Sequence, residues 1–293
     1  MTRTCHSEYH RIETVFIKPA LDAFIDERKA QQEWENLHYI HPPDVKAAHQ
    51  ESDHFAELLS KTPAKILQFS KDPSLSLDSI YCRDASIATN YGMVICNMGK
   101  PQRKGEPASH LRDYLKNDIE ILGTIQAPGT VEGGDVTWLD ESTLAVGVTY
   151  RTNLEGAQQL EGLLAPRGVR VITVPLPHYK GPSDVFHLMS ILSPVDKDLA
   201  VVYSPLMPIV FRELLISLGY GFVEVPDEEF DTMGCNVLAI APRKCLMVKG
   251  NPKTKLALEK AGCEVIEYEG GEISVNGGGG PTCLTRPIWR LKN

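Results

Sequence analysis

The chain has 293 residues, about twice a typical single domain, with 42% hydrophobic and 23% charged residues, ordinary for a globular chain with a sizeable core. Thirty Lys and Arg against 38 Asp and Glu leave a formal charge of −8, which argues against nucleic acid or an anionic membrane as the main partner. No apolar run approaches ~18 residues, the polar N-terminus carries no signal-like apolar stretch, and seven scattered cysteines without a CxxC pair write neither a disulfide framework nor a structural zinc site.

These features fit a reduced, cytoplasmic thiol protein, where the question is which cysteine reacts. Residues 13–19 read as a strand, and 43–61 as a helix with Val45, Ala48, Phe55, Leu58 and Leu59 at helical spacing. Strand-like runs follow at 65–69, 79–89 and 92–98, the last two separated by the turn around Asn90–Gly92. Helix 108–117 then precedes strands near 119–126, 134–140 and 143–150, and helix 153–165 precedes 168–176, 184–194 and 198–204. Helix 208–219 precedes 221–225, 234–241 and 243–248, and helix 252–262 precedes 263–268, 272–276 and 282–288. A helix followed by three strands every roughly 40–55 residues marks a repeat architecture. Five such units fit, and strand 13–19 is free to complete the last. The order predicts one α/β domain over residues 1–293, a closed ring of five βαββ-type blades around a central axis.

Corresponding strands carry polar residues where a buried strand should be apolar. They are Tyr81-Cys82-Arg83-Asp84, Glu132-Gly133-Gly134-Asp135, Phe186-His187-Leu188-Met189, Cys235-Asn236 and Gly280-Pro281-Thr282-Cys283. In a ring of blades equivalent positions converge on the axis, so a cysteine, a histidine and acids from distant sequence meet in one pocket. That is the composition of a covalent Cys/His site with carboxylates for a cationic substrate. Each residue alone has a bland alternative: Cys283 as a small buried hydrophobe, His187 as a satisfied core residue, Glu132 and Asp84 as strand-end carboxylates. Gly277–Gly280 lacks the Lys-Ser/Thr of a phosphate loop, no HExxH is present, and Glu269-Gly-Gly-Glu272 reads as a turn.

Val131-Glu-Gly-Gly-Asp-Val136, then Gly147-Val-Thr-Tyr-Arg-Thr-Asn153, a His-Leu pair, and Gly277-Gly-Gly-Gly-Pro-Thr-Cys-Leu-Thr-Arg-Pro287 follow in that order. With these runs the chain resembles the guanidino-group-modifying superfamily of arginine deiminases, dimethylarginine dimethylaminohydrolases and amidinotransferases, from about residue 79 to 288. The resemblance implies a five-bladed α/β propeller, the pentein fold, and metal-independent, cofactor-free hydrolysis of a guanidinium C–N bond. It implies that Cys283 attacks the guanidinium carbon. His187 would protonate the departing amine and then deprotonate the water that hydrolyses the thiouronium intermediate. Glu132 and Asp84 would grip the guanidinium. Arg103 and Arg151 match positions that hold an α-carboxylate, and Asp78 matches a substrate-contacting acid. Asn236 would close the pocket, and Asp135 would support the Gly-Gly turn or the histidine.

Two positions depart from the pattern. Met189 stands where deiminases and amidinotransferases carry the Asp of His-x-Asp, an acid that the dimethylarginine hydrolases also lack. Arg83 is deiminase-like, where those hydrolases carry an acid. The expected activity is conversion of dimethylarginine to citrulline and dimethylamine. The alternatives are an arginine deiminase, an arginine dihydrolase, an amidinotransferase, or a non-catalytic binder of arginine-like ligands. The expected partner is a small guanidino compound, with no nucleic acid and no membrane; the oligomeric state stays open, a homodimer included. Asp22–Glu35 and His38–Pro43 are two candidates for a lid over the pocket.

Overall fold

Strands of four to seven residues cannot bury an apolar face alone, and here each finds neighbours within a small sheet. The computed structural model describes residues 2–184 and 186–292. Four antiparallel hairpins open four blades: Ser86–Thr89 with Gly92–Ile95, Val136–Asp140 with Thr143–Val148, Leu192–Asp196 with Leu199–Val202, and Leu238–Ala241 with Lys244–Val248. From each hairpin the chain crosses through one helix, in turn Glu106–Lys116, Leu154–Leu164, Ile209–Ser217 and Pro252–Lys260. A third strand then pairs parallel to the second: Ile121–Thr124, Arg170–Pro175, Gly221–Glu224 and Glu264–Tyr268. A parallel partner cannot be reached by a tight turn, which is why a helix sits at that step in every blade.

The fifth blade uses both ends of the chain. Thr285–Leu291 pairs antiparallel with Arg11–Ile17, which pairs parallel with Lys65–Gln68, and Arg3–Thr4 adds a short edge strand. The strand expected to complete the last unit therefore closes the ring. Within each blade the first strand is nearly all buried and the third mostly half-buried or exposed, so the first strands lie innermost. The expected order of elements holds with a shift of phase: each helix-plus-three-strand unit straddles two sheets, and a blade reads strand, strand, helix, strand.

Three strand expectations are corrected. The run 79–89 is a strand only from Ser86, after a 3-10 turn at Leu77–Ile80; the run 184–194 begins its strand at Leu192, and its residue 185 lies outside the described residues. The run 272–276 is a single π-helical turn, Gly271–Val275, because the Glu51 carboxylate accepts the N–H groups of Gly271, Glu272 and Ile273 at 3.0, 2.9 and 3.0 Å. A helix at Glu27–Leu37 was not expected; it buries only Ala30 and Leu37, too narrow a stripe to stand out, and Asp26 caps it through Lys29 N. No helix among the described residues is long and apolar enough to cross a membrane.

Phe16 anchors the closing strand. It is fully buried, stacked on Phe69 at 4.6 Å and edge-on to Tyr114 at 5.4 Å. Phe16→Ala should cost about 3–5 kcal/mol of stability in denaturant unfolding. A loss near zero would mean that ring closure does not depend on this contact.

Candidate active site

In all five blades the residues singled out from sequence sit just before the innermost strand, in turns and not in the strand itself. Gly133–Asp135 and Leu188–Ser190 are 3-10 turns, and the residues around Asp84, Asn236 and Cys283 are also in turns. A turn aims its side chains along the axis, whereas a strand would alternate them across the sheet.

Cys283 and His187 line a cavity of about 310 Å³ together with Lys100, Gly134, Met189 and Asn236. Cys283 is partly exposed, while the other six cysteines are buried. Asn236 Nδ2 lies 3.4 Å from Cys283 Sγ. Asn236 Oδ1 accepts from Thr282 N and Oγ1 at 3.0 and 2.9 Å, which fixes the amide with its N–H toward the sulfur. His187 Nε2 lies 2.9 Å from Glu132 Oε2, and Glu132 Oε1 accepts from Lys100 N at 2.8 Å. Asp135 Oδ1 accepts Leu188 N at 3.0 Å and its Oδ2 accepts Thr149 Oγ1 at 2.8 Å, so it braces the turn that carries His187. Asp84 takes Arg103 Nη1 on one oxygen and Gly134 N, at 2.9 Å, on the other. A Cβ at Gly134 would come within 2.4 Å of His187 Nδ1 and 2.8 Å of Asp84 Oδ1, so only glycine lets these groups converge.

Burial opposes a charge on His187, yet Asp135, Asp84 and Glu132 outweigh it and push the imidazole up to about 9. Burial would raise Glu132 and Asp84 too; the His187 bond holds Glu132 below its ordinary value, and Arg103 with His187 does the same for Asp84. Burial pushes Asp135 up to about 6, against the pull of His187. Burial also raises the Cys283 thiol, and Asp84 adds to that rise. At neutral pH the site therefore holds an imidazolium among carboxylates and a neutral thiol.

Asp84, Glu132 and His187 offer ligand atoms within 4.8 Å of one another. Each is already bonded, Asp84 by Arg103, Glu132 by His187 and Lys100 N, and a protonated imidazole has no lone pair for a metal. The donor set fits proton storage better than metal binding.

Other expected contacts are redirected. Arg103 is buried and spends its guanidinium on Asp84 and, through Nε and Nη2 at 2.8 and 2.7 Å, on Glu106. It positions Asp84 and does not reach the cavity wall, which corrects its expected role on a substrate carboxylate. Asp78 is likewise paired at 2.6 Å with Lys100 Nζ. Arg151 is buried with Nη1 3.8 Å from Glu132 Oε2. Asp84 and Glu132 stand behind His187 and do not line the cavity. Of the lid candidates, 38–43 supplies His38 and Ile40 to the cavity wall, while 22–35 runs through helices Ala20–Ala23 and Glu27–Leu37.

No role was assigned from sequence to Lys100, or to the aromatic wall in which Tyr179 packs 5.5 Å from Phe186 and 6.0 Å from Phe230. Lys100, Tyr179 and Phe186 lie outside helices and strands, and Phe230 ends the four-residue helix Asp227–Phe230, so none carries a spacing signal. Glu106 was readable, three residues after Arg103 at a helix start, the spacing of an ion pair.

A family described as N,N dimethylarginine dimethylhydrolase, eukaryotic, matches residues 27–290. A dimethylarginine dimethylaminohydrolase of Streptomyces coelicolor is 30% identical over 67% of this chain and 69% of its own. An arginine deiminase of Listeria welshimeri is 24% identical over 94% of this chain and 74% of its own. Among solved structures, a dimethylarginine dimethylaminohydrolase from Pseudomonas aeruginosa, complexed with citrulline, superposes with a TM-score of 0.76 at 21% identity. It covers 94% of this chain and 98% of its own, a likeness of fold.

The His187 surroundings make a titration testable. The imidazolium persists below about 9 and is lost above it, because the three carboxylates favour the protonated form. Glu132→Gln removes one of them, so the midpoint should fall toward the ordinary value of 6.5, read by NMR of the imidazole ring. A midpoint that the substitution leaves in place would contradict the pairing.

Proposed function

The chain belongs to the N,N-dimethylarginine dimethylhydrolase family, and from that premise we propose that it hydrolyses a methylated arginine to citrulline and a methylated amine. It is a hydrolase of guanidino C–N bonds. The observation that carries the finer reading is Met189, buried in the cavity wall two residues after His187. A carboxylate there would pair with an unsubstituted N–H edge of the guanidinium. The thioether instead offers an apolar, adaptable surface to N-methyl groups.

The chemistry follows from the protonation states. A guanidinium entering the cavity beside Cys283 brings a positive charge to the sulfur and favours the thiolate that burial alone disfavours, the thiol proton passing to solvent. Sγ adds to the guanidinium carbon. His187 gives its proton to the dimethylamino nitrogen, and the C–N bond breaks to leave an S-alkylthiouronium. The neutral imidazole then takes a proton from water as the oxygen adds to the same carbon. The C–S bond breaks, citrulline leaves, and the thiol is restored. Glu132 orients His187, Asn236 orients Sγ, and Arg103 holds Asp84. Lys100 Nζ is bonded to Leu37 O and Asp78, which leaves one of its three donors for a substrate carboxylate at the cavity wall.

A second reading, arginine itself as substrate, is favoured by the likeness to arginine deiminases. The purified protein, with chelator, is given dimethylarginine and arginine separately, and citrulline, dimethylamine, ammonia and ornithine are quantified. Dimethylamine and citrulline in equal amounts, with arginine inert, is the expected result. Turnover of arginine alone would replace the methylated-substrate reading with the second one. Cys283→Ser should lower either activity by roughly three orders of magnitude or more; near-normal turnover would sink the covalent mechanism.

A further inference from the structure

A second, much smaller cavity adjoins the active-site turns, and its charges do not balance. Glu8, Arg83, Arg286 and Arg290 line it, and all four are buried. Three guanidinium groups, which keep their charge at any physiological pH, therefore face one carboxylate. Arg83 Nη2 bonds both oxygens of Glu8 at 2.9 Å. Arg286 Nη2 donates to the carbonyl of Arg83, and Arg290 Nη1 to those of His10 and Ala239. That leaves Arg83 Nε, Arg286 Nε and Arg290 Nη2 buried with no hydrogen-bond partner among the described residues.

The contrast with Arg103 is informative. Arg103 is equally buried, but Glu106 and Asp84 raise it well above the ordinary guanidinium value. Arg286 and Arg290 move the other way. Burial and the neighbouring guanidinium groups lower both, Arg290 to about 10, against the pull of Glu8. One carboxylate does not satisfy this cluster.

The geometry points to a structural anion site here, taking one monatomic halide, chloride, between the guanidinium groups of Arg83, Arg286 and Arg290. Charge favours an anion over water, and size narrows the choice: the cavity is about 10 Å³, room for a single small particle and not for phosphate, sulfate or a carboxylate. One negative charge lowers the local excess from two to one and gives the orphaned N–H groups an acceptor.

The position says what such an anion would do. Arg83 N donates to the Cys283 carbonyl at 3.1 Å, and Arg286 holds the Arg83 carbonyl. Gly133 lines this cavity and Gly134 lines the larger one, so a single peptide unit separates them. A Cβ at Gly133 would come within 2.2 Å of Arg83 O and 2.8 Å of Arg286 Nη2. A halide would therefore brace the turns that carry Asp84, Glu132 and Cys283 without touching substrate. The inference does not depend on which guanidine is hydrolysed.

The full chain is equilibrated in sodium gluconate and titrated with sodium chloride at constant ionic strength. Tm should rise with chloride and continue to rise as its logarithm once the site is filled. Crystals soaked in bromide should show an anomalous peak within contact distance of Arg286 and Arg290. Arg290→Met should reduce the chloride response of Tm, whatever its starting stability. A Tm that ignores chloride at fixed ionic strength, or bromide-soaked crystals without a peak in this cavity, would overturn the proposal. If Arg290→Met does not fold, the bromide peak in the unaltered protein decides alone.

Discussion

A proton on buried His187 is the constraint to which the active-site end of the molecule answers. An imidazolium largely shielded from water is costly unless anions stand beside it, and Glu132, Asp84 and Asp135 do. Those anions are buried in turn and need support of their own. Asp84 has Arg103 and Gly134 N, Asp135 has Thr149 and Leu188 N, and Glu132 has Lys100 N. Arg103 then requires Glu106, and Lys100 requires Asp78. The result is a run of alternating buried charges that reaches well away from the reacting atoms. Removing one member of such a run leaves its neighbour unpaired, which typically costs about 3–5 kcal/mol.

The ring makes this assembly possible. Each blade places one turn at the axis just ahead of its innermost strand, so five segments far apart in sequence supply Asp84, Glu132, His187, Asn236 and Cys283 to one end. Cys283 arrives last, on the turn that leads into Thr285–Leu291, and its place depends on that strand pairing with Arg11–Ile17 near the other end of the chain. Residues of the first blade complete the closure, since Arg83 N holds the Cys283 carbonyl. Fold closure and site assembly are thus one event.

The repeat was legible because apolar runs and helices recur in a fixed order, and the convergence of polar residues followed from the ring. The turn boundaries were not. Asp84 and His187 were read inside long strands because apolar neighbours such as Ile80, Phe186 and Ile191 flank them; the chain places 3-10 turns at Leu77–Ile80 and Leu188–Ser190 instead. Partnerships were hidden as well. Nothing in spacing tells that Arg103 turns to Asp84, nineteen residues away, or that Lys100 turns to Asp78. A charged residue in a site motif reads as a ligand for substrate until the structure shows which buried opposite charge claims it first.

Arg83 and Asp84 show how far that lesson reaches. They are adjacent in the chain, yet Asp84 belongs to the acid-rich active-site cluster and Arg83 to the guanidinium-rich cluster beside Glu8. The Gly133–Gly134 peptide lies between the two cavities, so excess negative and excess positive charge are kept about one backbone thickness apart. From sequence, Arg83 in place of an acid pointed toward a deiminase. In the structure its side chain lines the smaller cavity and not the one that Cys283 and His187 line. The apolar part of that cavity's wall includes Met189 and the aromatic surface of Tyr179, Phe186 and Phe230. The two sequence signals differ in position: Met189 faces the cavity that Cys283 and His187 line, and Arg83 faces the arginine cluster.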